Sequence, residues 1–297
     1  MNQFYYIFLT IARLISLLPF SVLYVFSDFL YILTYYLIGY RKKVVMSNLE
    51  NAFPEKSGKE IELIAQKFYK NFCDLIIEVI KSLTISEKQI RKRFLFINRE
   101  ILDELYHQNK SVIAVQGHCF NWEWTIMMGP KQGKHKRYVV YKPLSNKFFD
   151  NVILDLRSRF ETEMILMYKT YDLIEKNETL LRSSKKDTQP SCYQFGADQT
   201  PMKHKAEYWT NFLNQDTPVF LGAEKIAKEW NIPVVFLNVQ KVKRGYYEVE
   251  FIKLFDNSNE TSQFEITEKH VRVLEEIIIA KPENWLWSHR RWKHRRV

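Results

Sequence analysis

Apolar residues follow three regimes along the chain. From Phe4 to Lys43, "FYYIFLTIARLISLLPFSVLYVFSDFLYILTYYLIGYRKK", they run almost unbroken, with Arg13, Pro19 and Asp28 as the interruptions. From Met46 to about Glu104 the pattern is mixed and helical. In "KEIELIAQKFYKNFCDLIIEVIKSL", Ile61, Ile64, Phe68, Phe72, Leu75, Ile76 and Val79 recur at three- and four-residue steps, which predicts an amphipathic core helix. Thereafter short apolar runs alternate with helical periods: "SVIAVQG", "WEWTIMMG", "KRYVVYKP", "NKFFDNVILDLRSRF", "EMILMY", "YDLIEKNETLLRSS", "CYQFGADQ", "PVFLGAEKIAKEWN", "IPVVFLNVQKV" and "YYEVEFIKLF". That alternation predicts an α/β domain whose mixed sheet is largely buried and flanked by helices. A helix and a basic, tryptophan-rich tail, "TEKHVRVLEEIIIAKPENWLWSHRRWKHRRV", end the chain. No repeat or low-complexity linker suggests a further division, so the expected organisation is an anchor over residues 1–43 and one domain over 44–297.

The first regime raises the question of a membrane. A spanning helix needs about 20 apolar residues. Phe20 to Tyr40 has that length but carries Asp28, and the part before Pro19 is shorter and carries Arg13. The expectation is one span or a helical pair lying partly in the interface. A charged leader and a small-residue cleavage site are both missing, so it does not read as a signal peptide. Tyrosines at 5, 6, 24, 31, 35, 36 and 40 give interfacial character, and Arg41-Lys42-Lys43 supplies a basic flank that places the body of the protein on the cytoplasmic side. On that layout, removal of the residues before Arg41 leaves a salt-releasable protein with some activity. The alternative is a buried helical hairpin of a soluble protein.

Charge narrows the partners. With 44 Lys and Arg against 34 Asp and Glu, the net charge of +10 favours an anionic surface, either membrane or nucleic acid. Three cysteines without paired spacing, Cys73, Cys119 and Cys192, suggest neither a disulfide framework nor a zinc site, and no other metal-ligand spacing occurs.

The candidate chemistry lies where "SVIAVQG" ends. His118 follows that strand directly, at the carboxyl edge where α/β sheets build their sites, and Glu123 falls in the first turn of the next helix. From there the carboxylate could fold back onto the imidazole, fix its tautomer and make it a general base for a hydroxyl. A capping histidine beside a solvated glutamate is the alternative. Asn121 is either a donor in the site or the N-cap of the helix starting at Trp122. Cys119 is a weak candidate nucleophile, because adjacent side chains diverge. Arg157 and Arg159 point apart on a helix, so one of them, Arg159 by preference, reaches an anionic phosphate. Asp198 and Gln199 follow "CYQFGA" and could line the cleft or serve as turn residues. In the tail, Trp285, Trp287 and Trp292 with Arg290, Arg291, Lys293, Arg295 and Arg296 suggest a membrane-interface surface, against the alternative of core tryptophans and a solvated basic end.

Several ordered blocks resemble one family. "GHCFNWEW" is similar to the His-x4-Asp/Glu signature of the lysophospholipid and lipid A acyltransferases, in particular the lauroyl/myristoyl-type lipid A branch. "YKPLSN", with Tyr141 and Lys142, resembles that branch's Tyr-Arg-Pro-Leu-x-Asn segment, and "LRSRF" its arginine-bearing helix end. "ADQT", "FLNQDTPVFLGAEKIAKEWNIPVV" and "PENWLWSHRRWKHR" resemble its Asp-Gln block, its Phe-x-Gly stretch and its C-terminal motif. Glu161 and Asn214 stand where the family often has glycine, and Cys119 where phenylalanine is more usual.

The resemblance implies a single glycerolipid-acyltransferase-like domain and a membrane-associated O-acyltransferase without cofactor or metal. His118 would take the proton of an acceptor hydroxyl, helped by Glu123, and the oxygen would attack an acyl thioester held by acyl carrier protein or coenzyme A. The implied substrate-binding residues are Asn121, Tyr141, Lys142, Arg157, Arg159, Asp198 and Gln199. The implied acceptor is an anionic glycolipid, a lipid A precursor, at the cytoplasmic face of a bacterial inner membrane. A lysophospholipid or aminolipid acceptor is the alternative within the same chemistry. A basic nucleic-acid-binding protein is the alternative of another class, and the apolar N-terminus and the His118/Glu123 block argue against it.

Overall fold

In the computed structural model, residues 3–127, 133–160, 162–183, 188–294 and 296 are described. Glu161 and Arg295, both singled out above, lie outside them, as does the end of "WEWTIMMG".

The chain opens with α1 (Gln3–Leu17) and α2 (Phe20–Ile32), the latter continued by a π-helical segment, Leu33–Ile38. Then come α3 (Lys42–Ala52), α4 (Gly58–Lys81), α5 (Glu87–Arg93), β1 (Phe94–Phe96), α6 (Glu100–His107), β2 (Val112–Gln116), α7 (Trp122–Met127) and β3 (Lys136–Tyr141). Next are α8 (Lys147–Ser158), β4 (Glu163–Leu166), α9 (Thr170–Arg182), β5 (Ser191–Gly196) and the hairpin of β6 (Tyr208–Phe212) and β7 (Gln215–Val219). The chain finishes with α10 (Gly222–Trp230), β8 (Val234–Lys243), β9 (Tyr246–Phe255) and α11 (Glu265–Ala280). The expected mixed, helix-flanked sheet is present. Seven strands lie in the order β1-β9-β8-β2-β5-β3-β4, parallel from β8 to β4, with β9 antiparallel to β8 and β1 parallel to β9. All five residues of β2 are buried, as a central strand covered on both faces requires.

Two elements escape the hydrophobic pattern. Strand β1 is a three-residue edge, too short to show alternation. The hairpin β6–β7 turns through Leu213 and Asn214, both at positive φ (50° and 60°). Asn214 tolerates that conformation in place of a glycine and donates to the carbonyl of Ala52 at 3.1 Å.

Helix α4 starts from a capping box, in which Ser57 accepts from the Glu60 N–H and the Glu60 carboxylate accepts from the Ser57 N–H. It packs against both N-terminal helices and carries buried polar groups toward them. Asp74 accepts from Ser27 Oγ (2.7 Å), Glu78 from the Tyr24 hydroxyl (2.8 Å), and Lys81 Nζ donates to the carbonyls of Ser16 (2.7 Å) and Leu18 (3.0 Å). Arg244 bridges Asp74 (2.6 Å) and Asp28 (2.7 Å), so the acid that interrupts the apolar run is paired with a cation. The inner face of the two helices, including Tyr5, Leu9, Leu23 and Tyr31, is buried. Their outer face exposes Leu14, Leu17, Val25, Phe29, Leu37 and Ile38. Phe20–Ile38 covers 19 residues with a mean hydropathy of 1.5, long and apolar enough to cross a bilayer, and 28% of it is buried. The N-terminal helices are thus docked along one face and apolar on the other.

This docking changes the expected result of truncation. Removing the residues before Arg41 takes Ser27 from Asp74, Tyr24 from Glu78 and the Ser16 and Leu18 carbonyls from Lys81, and uncovers the apolar face of α4. The shortened protein should therefore aggregate or unfold, whereas a soluble, active product in gel filtration would show that the helices are dispensable. Leu23→Ala on the buried face should cost about 2–5 kcal/mol and lower the melting temperature in detergent. Phe29→Ala on the exposed face should leave it nearly unchanged.

Candidate active site

Strand register builds the site. Gln116 at the end of β2 lies beside Gly196 at the end of the parallel β5, and the Ala197 N–H donates to the Gln116 carbonyl at 3.0 Å. Two residues past each strand end stand His118 and Asp198. Parallel strands ending in step therefore deliver the imidazole and the carboxylate to one place on the carboxyl edge. Two glycines leave room: a Cβ on Gly196 would meet His118 Cε1 at 3.2 Å, and one on Gly117 would meet Leu274 Cδ1 at 2.5 Å.

His118 Nδ1 lies 2.5 Å from Asp198 Oδ1. The other carboxylate oxygen, Oδ2, accepts from the His118 backbone N–H and from the Trp285 indole N–H, each at 2.7 Å. Asp198 is buried, which disfavours its charge, yet His118 and these donors hold its carboxyl well below the usual carboxylate range. Burial likewise opposes the charged imidazole, but Asp198, with Glu123 behind it, raises the His118 pKa above the ordinary histidine value. With Nδ1 committed to a carboxylate, Nε2 is the nitrogen available for proton transfer. It lies 3.2 Å from the exposed Gln199 amide. The Trp122 ring meets the imidazole edge-on, with centroids 5.0 Å apart.

Glu123 is placed differently from the expectation. It does not fold back onto His118. Its two oxygens take a fork from Arg157, Nε at 3.0 Å and Nη2 at 2.7 Å, and Oε1 also accepts from Trp122 Nε1 at 3.1 Å. Burial opposes its charge, but Arg157, with His118 and the Trp122 donor, outweighs it, so Glu123 titrates below its usual range. The reason is geometric: α8 brings a planar guanidinium against the first turn of α7, and Asp198 already occupies Nδ1. Arg157 offsets the charge of Glu123, and a protonated imidazole offsets that of Asp198, which the buried Arg291 guanidinium also faces.

The remaining sequence candidates divide. Asn121 is buried and caps α7, its Oδ1 accepting from the Trp124 N–H at 3.1 Å, while its Nδ2 donates to Glu78 at 2.6 Å, away from His118. Arg159, preferred above for a phosphate, instead donates to the carbonyls of Ser82 and Ile85 beyond the end of α4. Tyr141 ends β3 half-buried, its hydroxyl raised by burial and by Asp150 against the opposing charge of Arg157, which puts it on the Arg157 side of the site. Lys142 follows it, exposed. Cys119 is buried with its thiol pushed up by burial, the opposite of an activated nucleophile.

The tail also departs from expectation. Trp285 and Trp287 are 1% and 0% exposed, and Arg291 is buried with Nη2 on the Pro218 carbonyl, so these three belong to the core, while Arg290, Lys293 and Arg296 are exposed. Trp285 contacts Asp198 directly. No local pattern signals that contact, because it joins residues 87 positions apart.

Comparison with known proteins agrees with these blocks. A family model described as "Bacterial lipid A biosynthesis acyltransferase" matches residues 1–294. A Shigella flexneri protein named "Lipid A biosynthesis acyltransferase 2" is 27% identical over 113 residues, 38% of this chain and 36% of that relative's length. The chain therefore spans about a third of that relative.

The imidazole offers a direct check. In Asp198→Asn the attraction that raises the His118 pKa is gone and burial remains, so the pKa should fall below about 6.5. Glu123→Gln should lower it less. Ring-carbon NMR titration measures both, and an unchanged His118 pKa in Asp198→Asn would contradict the pairing.

Proposed function

This chain belongs to the bacterial lipid A biosynthesis acyltransferase family, and on that premise we propose that it moves a fatty acyl chain from an acyl carrier protein thioester to a hydroxyl of a lipid A precursor. The observation that carries the reading is the His118–Asp198 pair at the carboxyl edge of β2 and β5, with Nε2 left for the acceptor.

His118 Nε2 takes the acceptor hydroxyl proton as the oxygen attacks the thioester carbonyl carbon. The tetrahedral intermediate then expels the thiolate, which recovers the proton from the imidazolium. No covalent enzyme intermediate is needed, because the thioester is already activated and positioning of the two substrates supplies much of the acceleration. Asp198 keeps Nδ1 protonated and, with Glu123, stabilises the imidazolium. Arg157 holds Glu123 in place. Gln199, over Nε2, hydrogen-bonds the incoming hydroxyl. Tyr141 and Lys142 stand on the rim where an anionic acceptor approaches, and Lys142, not Arg159, meets its phosphate.

Residues 1–43 act as the membrane anchor through the apolar outer face of α1, α2 and the π-helical segment. Burial of that face in lipid also favours a membrane over nucleic acid as the anionic partner. In this reading the active site stands at the cytoplasmic face of the inner membrane, which the basic Arg41-Lys42-Lys43 flank supports.

His118→Ala should remain folded and lose acyl transfer by roughly 10²-fold or more. Near-normal turnover in that variant removes the base assignment. Mass spectrometry of lipids from a deletion strain tests the acceptor: lipid A lacking one acyl chain supports the reading, and intact lipid A with altered phospholipids or aminolipids moves the chemistry to another acceptor. Replacing Val25 and Leu37 by Asp should release the protein from membranes without lowering its stability in detergent.

A further inference from the structure

Past α11 the chain makes a short turn, Pro282–Asn284, and then runs beneath both halves of the His118–Asp198 pair. Its backbone grips the loop that bears the imidazole. The Phe120 N–H donates to the Asn284 carbonyl at 2.9 Å, and Cys119 forms an antiparallel bridge with Trp285. Phe120 has φ 44°, an uncommon conformation for a bulky residue, so this loop depends on outside contacts to keep its shape. Trp285 reaches the other half as well, through its indole N–H on Asp198 Oδ2 at 2.7 Å.

We propose that Trp285 is a positioning residue for acyl transfer: its indole N–H fixes one Asp198 oxygen, so that the other stays on His118 Nδ1, while its backbone holds the loop that carries His118. The inference rests on the reading of His118 as the base. An indole N–H donates only and does not titrate near neutrality, so it stabilises the carboxylate at every working pH. It also draws off part of the negative charge that Asp198 presents to the imidazole. Without it, Oδ2 keeps only the His118 N–H, and more of the charge falls on the ring, which favours the imidazolium.

The other titratable groups facing the pair are Glu123 from α7, Arg157 from α8, His270 from α11, and His289 and Arg291 from the tail. Burial pushes His270 and His289 down to about 4, so neither titrates where His118 does. Cys119 is raised by burial and stays a neutral thiol.

Two neighbouring tryptophans separate positioning from packing. Trp285 and Trp287 are equally buried, with ring centroids 4.9 Å apart, but Trp287 donates to the Pro282 carbonyl and not to Asp198. Trp285→Phe and Trp287→Phe are compared by pH–rate profiles, with acyl carrier protein thioester and a lipid A precursor in detergent. In Trp285→Phe the acidic limb of kcat/KM should move up by about half a unit or more. Near neutrality kcat should fall by roughly fivefold or more with the acceptor KM unchanged. Trp287→Phe should lose stability but keep the wild-type limb. An unmoved limb in Trp285→Phe, or an equal shift in Trp287→Phe, overturns the proposal.

His118→Ala separates this from failure of the base assignment. If the residual activity of His118→Ala keeps the limb, the base reading falls and the Trp285 role with it. If that variant loses the limb while Trp285→Phe leaves it in place, the Trp285 role alone falls. Should Trp285→Phe not fold, indole-¹⁵N spectra of the unsubstituted protein read the same contact. The Trp285 resonance should titrate with His118, and a resonance that stays flat across that titration overturns the proposal.

Discussion

A buried carboxylate that, among the described residues, forms no ion pair with a lysine or arginine is the constraint on which the site depends. Asp198 can stay ionised out of water only if donors converge on it, and three do: His118 through its ring, His118 through its backbone, and Trp285. They come from two parts of the architecture, the His118 loop and the C-terminal segment. The register of β2 and β5 sets the carboxylate beside the His118 loop, and the C-terminal segment closes underneath. Buried Trp285 is therefore part of the electrostatics of the site as well as of the core.

A second buried acid joins the N-terminal helices to that loop. Glu78 on α4 accepts from Tyr24 on α2, from Tyr247 on β9, and from Asn121, which caps α7. Burial and the neighbouring Asp74 push its carboxyl up to about 7 despite those hydrogen bonds. The same helix meets Arg244 and Lys241 through Asp74. Helix α4 is thus the member through which the position of α2 bears on the first turn of α7, where Glu123 stands. An apolar segment that looks detachable in one dimension is tied to the sheet edge that bears His118 by a few buried polar contacts.

The His-x4-Glu spacing also takes on a specific meaning. Glu123 contributes charge near the imidazole, and its hydrogen bonds go to Arg157 and Trp122. The orienting contact belongs to a carboxylate 80 residues away in sequence. Dividing the two tasks lets Asp198 fix the tautomer while the Glu123–Arg157 pair sets the local potential.

What the sequence determined by itself was whatever depends on near neighbours. Helical and strand periodicity gave the α/β class and most elements, because burial of one face imposes a period on residues a few positions apart. The strand-to-helix turn located His118 for the same reason, and six ordered blocks gave the family. Partnership lay outside that range. That Asp198 and not Glu123 holds Nδ1, that Arg157 pairs with Glu123 while Arg159 meets backbone carbonyls, and that Trp285 is a donor to Asp198 and not an interfacial residue, all follow from strand register and chain crossing. Strand β1 was too short to show a period, and the docked face of α1 and α2 was hidden by an equally apolar outer face. Only the tertiary structure could decide these points, because hydrogen bonds and ion pairs are specific to about an ångström, and the chain brings their partners together from dozens or hundreds of residues apart.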